Sequence, residues 1–128
     1  MADQELYANG MAMRRQVLGD AYVDKATAHV DDFNRDFQRI VTEYCWGEVW
    51  TRQVLTDKQR SLNNLCIIAT LNRAAEFEIH LRGALKNGCT PDEIRDTLIQ
   101  VAVYAGIPAG VEAFRIARKV LTEEGALT

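Results

Sequence analysis

Apolar positions recur with a period close to 3.6 along almost the whole 128-residue chain, and strict strand-like alternation is absent. The pattern predicts an all-α fold of about six helices. A first helical stretch runs from about Gln4 to Leu18 and stops at Gly19. A second begins near Asp31, carries Phe33, Phe37, Ile40, Val41 and Tyr44 on one face as its buried stripe, and weakens at Gly47. Thr56 or Asp57 is placed to cap a third, whose Leu62, Leu65, Cys66 and Ala69 are joined by Ile67, Ile68 and Leu71. The fourth, roughly Arg73 to Asn87, ends at Gly88, where a residue without Cβ takes the left-handed conformation cheaply. Thr90-Pro91-Asp92-Glu93 then supplies an N-cap, a helix-opening proline and a capping-box glutamate. The fifth helix turns Ile94, Leu98, Val101, Ala102 and Ala105 to one side, with Ile99 and Val103 beside them. Gly106-Ile107-Pro108 breaks the chain ahead of a sixth that buries Ala113, Ile116, Ala117, Val120 and Leu121.

The third and fifth helices are apolar around more of their circumference than a small domain with a solvated outside requires. A subunit interface covering the surplus predicts a homo-oligomer; the other reading makes these two the central helices of a monomeric bundle. The length suits one domain over 1–128, with 1–30 as an N-terminal helical extension and 31–125 as the core.

Composition narrows the function classes. Hydrophobic residues are 48% and charged ones 26%, with only two prolines, so the chain is globular rather than disordered or collagen-like. A formal charge of −3 offers no broad basic surface for a phosphate backbone, which excludes nucleic acid as the expected partner. There is no signal-like apolar segment at the start and no run of spanning length later, so no membrane association and a cytoplasmic location are expected. Cys45, Cys66 and Cys89 are odd in number and match neither a disulfide framework nor a zinc spacing; they read as reduced, small hydrophobes. The only histidines are His29 and His80, neither with a carboxylate cluster near it in sequence, so no metal is expected.

Two segments carry candidate chemistry. On a wheel of the fourth helix, Ala74, Phe77, Leu81, Ala84 and Leu85 form the core stripe, and Arg73, Glu76 and His80 fall along its flank. That strip stacks a guanidinium, a carboxylate and an imidazole at the edge of buried surface, with Gly83 one turn on leaving room for a ligand. The same spacing also fits an ordinary i, i+3 ion pair beside a boundary histidine. Arg82 sits on the opposite side and is expected to be solvated. In the string from Tyr44 to Arg52, Trp46 and Trp50 share a helical face while Glu48 points elsewhere. Glu48 reads either as solvated or as lying at the mouth of an aromatic pocket, where burial would raise its pKa. Ser61 is the only serine, and GxGxxG, phosphate-loop and CxxC motifs are absent, which disfavours triad, nucleotide and dithiol chemistry.

The pieces Trp46 to Arg52, Lys58 to Leu62, Glu78 to Gly88, Thr90 to Ile94 and Val103 to Ala109, in this order and separation, resemble the carboxymuconolactone decarboxylase family of the alkylhydroperoxidase-like fold. The resemblance covers roughly residues 30 to 120. The peroxidase branch of that superfamily carries CxxC followed by three residues and a histidine. Counted back from His80, the cysteine positions are Arg73 and Glu76, so a thiol-dependent peroxidase is disfavoured. Gln53 stands where the family commonly has proline. The resemblance implies cofactor-free decarboxylation of 4-carboxymuconolactone to the enol-lactone of 3-oxoadipate, in protocatechuate breakdown, by a homo-oligomer, a hexamer being favoured. It implies His80 and Glu48 as proton-handling residues, with Arg73, Arg52, Glu76 and Trp46 around a small lactone dicarboxylate. The alternative is a non-catalytic or divergent member that binds a small carboxylate.

Overall fold

A computed structural model of the chain describes residues 3–128, and the first two positions of the expected N-terminal extension lie outside them. Among the described residues all regular structure is helical: α1 (Gln4–Leu18), α2 (Asp20–Thr27), α3 (Arg35–Ile40), a π-helix (Val41–Trp50), α4 (Asp57–Leu71), α5 (Ala74–Lys86), α6 (Pro91–Ala105) and α7 (Ile107–Glu123). None of these helices is long and apolar enough to cross a membrane. The chain divides into two compact units, the residues up to Asp57 and Lys58–Thr128.

In the first unit, Asp3 caps α1 by accepting from the Leu6 amide at 3.0 Å. Gly19, at φ 92°, ends α1 and opens α2 directly. α2 has no counterpart among the expected helices, because its eight residues contribute a single buried apolar side chain, Val23. α1 packs against the π-helix at unusually short range: a Cβ on Gly10 would lie 2.0 Å from the Thr42 carbonyl oxygen, and one on Gly47 2.7 Å from that of Leu6. Met13 and Val17 of α1 meet Trp46 and Trp50 there. This contact overturns most of the expected buried stripe of residues 33–44, of which only Val41 is partly buried, against the tryptophan cluster. Thr42, Glu43, Trp46, Gly47 and Trp50 turn inward, whereas Phe33, Phe37, Ile40 and Tyr44 are exposed, Phe33 at 97%. The glycine pair lets two backbones touch, and that approach selects the face bearing the glycine over the face with more apolar side chains.

The second unit has one core, to which Leu65, Phe77, Leu81, Ile94, Leu98, Ile116 and Val120 contribute from α4 to α7. Its boundaries are local in origin. Asn72, at φ 59°, turns α4 into α5; Gly88, at φ 92°, follows α5. Thr90 accepts from the Glu93 amide at 3.1 Å while Glu93 accepts from the Thr90 amide at 2.9 Å, completing the capping box. Gly110 then brings α7 onto α6, since a Cβ there would lie 2.4 Å from the Ala102 Cβ. The buried set of α7 contains all five expected residues. In α6, Ile94, Leu98 and Val101 are buried, but Ala105 is exposed, as are Ile99 and Val103. Ile67 and Leu71 of α4 are exposed as well.

Candidate functional site

The α5 strip forms because Phe77, Leu81 and Ala84 anchor the helix in the core and leave the adjoining flank at its edge. Arg73 is the N-cap residue rather than part of the first turn; its carbonyl accepts from the Phe77 amide at 2.8 Å and its side chain is exposed. Ala74, expected in the core stripe, is exposed because the helix has only just begun there, and Gly83 is buried. Glu76 is exposed and His80 partly buried. Burial pushes the His80 imidazole below its ordinary pKa, and the Glu76 carboxylate one turn earlier opposes that shift. Burial thus favours the neutral ring, and added negative charge nearby would act as Glu76 does and favour its protonation.

Arg82 departs from expectation. It is not simply solvated: it pairs with Glu78 at 3.0 Å, with Glu123 at 2.7 Å and with Glu124, which ties α5 to the end of α7. Lys119 adds a contact to Glu78 at 3.4 Å. These are structural pairs on the side of α5 away from His80.

In the first unit, Trp46 and Trp50 are both buried and stacked, with ring centroids 5.1 Å apart and an interplanar angle of 27°. Glu48 is exposed, as is Arg52, whose amide donates to the Val49 carbonyl at 3.0 Å. The solvated reading of Glu48 is the one this geometry matches. The acid that is buried is Glu43, 3.5 Å from Arg39. Gln53 donates to the Trp50 carbonyl and to Asp57, both at 3.2 Å, and so holds the end of the π-helix by hydrogen bonding. The six expected residues thus fall into two sets: Arg73, Glu76 and His80 in the second unit, with Glu76 and His80 one turn apart on α5 and Arg73 at its N-cap, outside the helical turns, and Trp46, Glu48 and Arg52 in the first.

The three thiols are free, and burial raises the pKa of each, that of Cys89 to about 11. A peroxidatic cysteine needs the opposite shift. Among the described residues, no group of three or more His, Cys, Asp or Glu side chains is arranged to hold a metal ion. Sequence reasoning missed Arg14, which is 6% exposed. The signal was present: Gly10, Met13, Arg14 and Val17 share one face of α1, so a wheel of that helix turns Arg14 inward.

Comparison with known proteins gives a consistent picture. The model of the carboxymuconolactone decarboxylase family matches residues 35–119. A protein of Acinetobacter baylyi named 4-carboxymuconolactone decarboxylase is 36% identical over 125 residues, covering 98% of this chain and 93% of its own. One of Metarhizium robertsii named nitrosuccinic acid decarboxylase is 38% identical over 120 residues, covering 94% and 84%. A 4-carboxymuconolactone decarboxylase sequence of Pseudomonas putida is 42% identical over 48 residues, covering 38% of this chain and all of its own.

Proposed function

This chain belongs to the carboxymuconolactone decarboxylase family, and from that premise we propose that it decarboxylates 4-carboxymuconolactone to the 3-oxoadipate enol-lactone without a cofactor. The observation that carries the reading is His80, partly buried on α5 one turn from Glu76, with burial holding its pKa below the ordinary value. The reaction breaks the bond between the ring carbon and the carboxylate. The electron pair passes into the unsaturated lactone as a dienolate, carbon dioxide leaves, and a proton is added at carbon. The lactone itself accepts the electrons, so no metal or coenzyme is needed for that step.

The proposed roles follow from charge. A dianionic substrate brought near His80 offsets the desolvation that keeps the imidazole neutral, so the ring takes up a proton on binding and returns it to the dienolate. Arg73, exposed at the N-terminus of α5, pairs with a substrate carboxylate through its planar donor fork. Glu76 favours the charged imidazole. Trp46, Glu48 and Arg52 are candidates carried by the first unit, each testable by its own substitution. The exposed Ile67, Leu71, Ile99 and Val103 support a homo-oligomer; a hexamer acting in the cytoplasm in protocatechuate breakdown is the assembly and setting we propose for it.

A second reading is favoured by the Metarhizium relative: decarboxylation of nitrosuccinic acid. A nitro group, like an unsaturated lactone, accepts the electron pair of a departing carboxylate, so one proton-delivering histidine serves both. The test is to incubate purified protein with each acid in turn and follow carbon dioxide release with loss of the substrate's absorbance. Turnover of the lactone well above that of nitrosuccinate is the expected result. Preference for nitrosuccinate would transfer the assignment to the second reading, and turnover of neither would overturn both.

A further inference from the structure

The first unit contains a buried cation, Arg14, with no carboxylate paired to it among the described residues. Arg14 Nη1 donates to the Gln38 Oε1 at 3.2 Å, while its Nε is buried with no acceptor among the described residues. A buried guanidinium normally meets a carboxylate, because desolvation costs several kcal/mol that a neutral amide only partly offsets. The bond to Gln38 is also long for a charge-assisted contact, which typically measures about 2.7–2.9 Å. Neighbouring arginines are better served: Arg35 has Asp32 at 2.5 Å and Arg39 has Glu43 at 3.5 Å.

Gln38 is also in the wall of a cavity of about 530 Å³, alongside Tyr7, Arg35, Arg39, Thr42 and Glu43. Among the described residues the charged groups on that wall are two arginines and one glutamate, and Arg14, outside the wall, is bonded to Gln38 as a further cation. We propose that Arg14 and Gln38 form a binding site for a small carboxylate, entered from this cavity, in which the ligand's carboxylate replaces the Gln38 amide oxygen on the guanidinium. The planar, two-oxygen carboxylate matches the guanidinium fork. Gln38 acts as a neutral placeholder that swings aside. The site goes beyond the proposed decarboxylation, since binding requires no turnover and its test does not use activity.

Succinate is the probe, titrated calorimetrically and by thermal unfolding against sodium chloride of equal ionic strength. Succinate should bind the wild-type protein and raise its Tm beyond the chloride control. Arg14→Met should weaken Kd by about tenfold or more, the loss of one charge-assisted pair. Without succinate it should be at least as stable as wild type, because the uncompensated charge is gone. Gln38→Glu installs a carboxylate beside Arg14, so it should raise the Tm and abolish the succinate response. His80→Gln should leave the Arg14-dependent part of binding intact. Absence of any succinate effect on the wild type, or a full response in Arg14→Met, overturns the proposal. Should Arg14→Met not fold, a full succinate response in Gln38→Glu overturns it.

Discussion

Replacing Gly10 by alanine tests the backbone contact that decides the first unit. The added Cβ would stand 2.0 Å from the Thr42 carbonyl oxygen and 2.9 Å from the Gly47 amide nitrogen. Both obstacles are main chain, so no rotamer change relieves them, and α1 must retreat from the π-helix by roughly 1 Å or more to reach ordinary contact. Overpacking a tight site costs about 1–3 kcal/mol, and backbone obstruction places this case at the upper end. Alanine's better helix propensity returns about 1 kcal/mol, leaving a net loss of about 2 kcal/mol. Gly88→Ala serves as the control, since a Cβ there meets nothing within 4 Å and only the positive φ of 92° is at issue, a cost of about 1–2 kcal/mol. Urea unfolding followed by tryptophan fluorescence is the assay, because both tryptophans of the chain, Trp46 and Trp50, are buried against α1. Gly10→Ala should lower the midpoint and change the native emission, whereas Gly88→Ala should leave the emission unchanged. An alanine variant with wild-type midpoint and emission would refute the close approach and, with it, the account of why Phe33, Phe37 and Tyr44 lie outside.

Three further outcomes are expected. His80→Gln keeps a polar side chain but cannot supply a proton near neutrality, so lactone turnover should fall about 10²- to 10⁴-fold with little change in Tm; retention of more than about a third of turnover would remove His80 as the proton donor. The folded His80 pKa lies below its unfolded value of about 6.5, so the unfolded chain binds the proton more tightly. Its stability contribution is therefore complete above that value and is lost as pH falls through it towards the folded pKa. Urea midpoints measured from pH 8 to pH 5 should show this slope in wild type and lack it in His80→Gln, and equal slopes would contradict the assignment. Light scattering on the purified protein should return a mass several times the 14.4 kDa of one chain, and a monomer at micromolar concentration would exclude the oligomer.

Local chemistry makes much of the fold legible in the sequence. Thr90, Pro91 and Glu93 define the start of α6 through bonds that span three residues, and Gly19, Gly88 and Gly106 mark helix ends because each stands at positive φ. The inward face of α7 is readable from period alone, since one dominant apolar stripe leaves a helix little choice. The one-turn spacing of Glu76 and His80 is legible for the same reason, since Phe77 and Leu81 orient α5, whereas Arg73, at the N-cap with φ −103° and ψ 80°, does not continue their helical row.

What the sequence could not decide was which of two possible faces meets a partner. Residues 33–50 carry an apolar stripe and a glycine-bearing aromatic face, and the latter wins because Gly10, more than thirty residues earlier, admits the Thr42 and Gly47 backbone. Arg82 looked solvated because Glu123 and Glu124 reach it from 41 and 42 residues away. Arg14 is buried because α1 lies against the π-helix, and its neutral partner Gln38 comes from α3. Caps, turns and helical period are settled by atoms a few residues apart, so the sequence determines them alone. Burial and charge pairing depend on which distant surfaces come together, and only tertiary packing decides that.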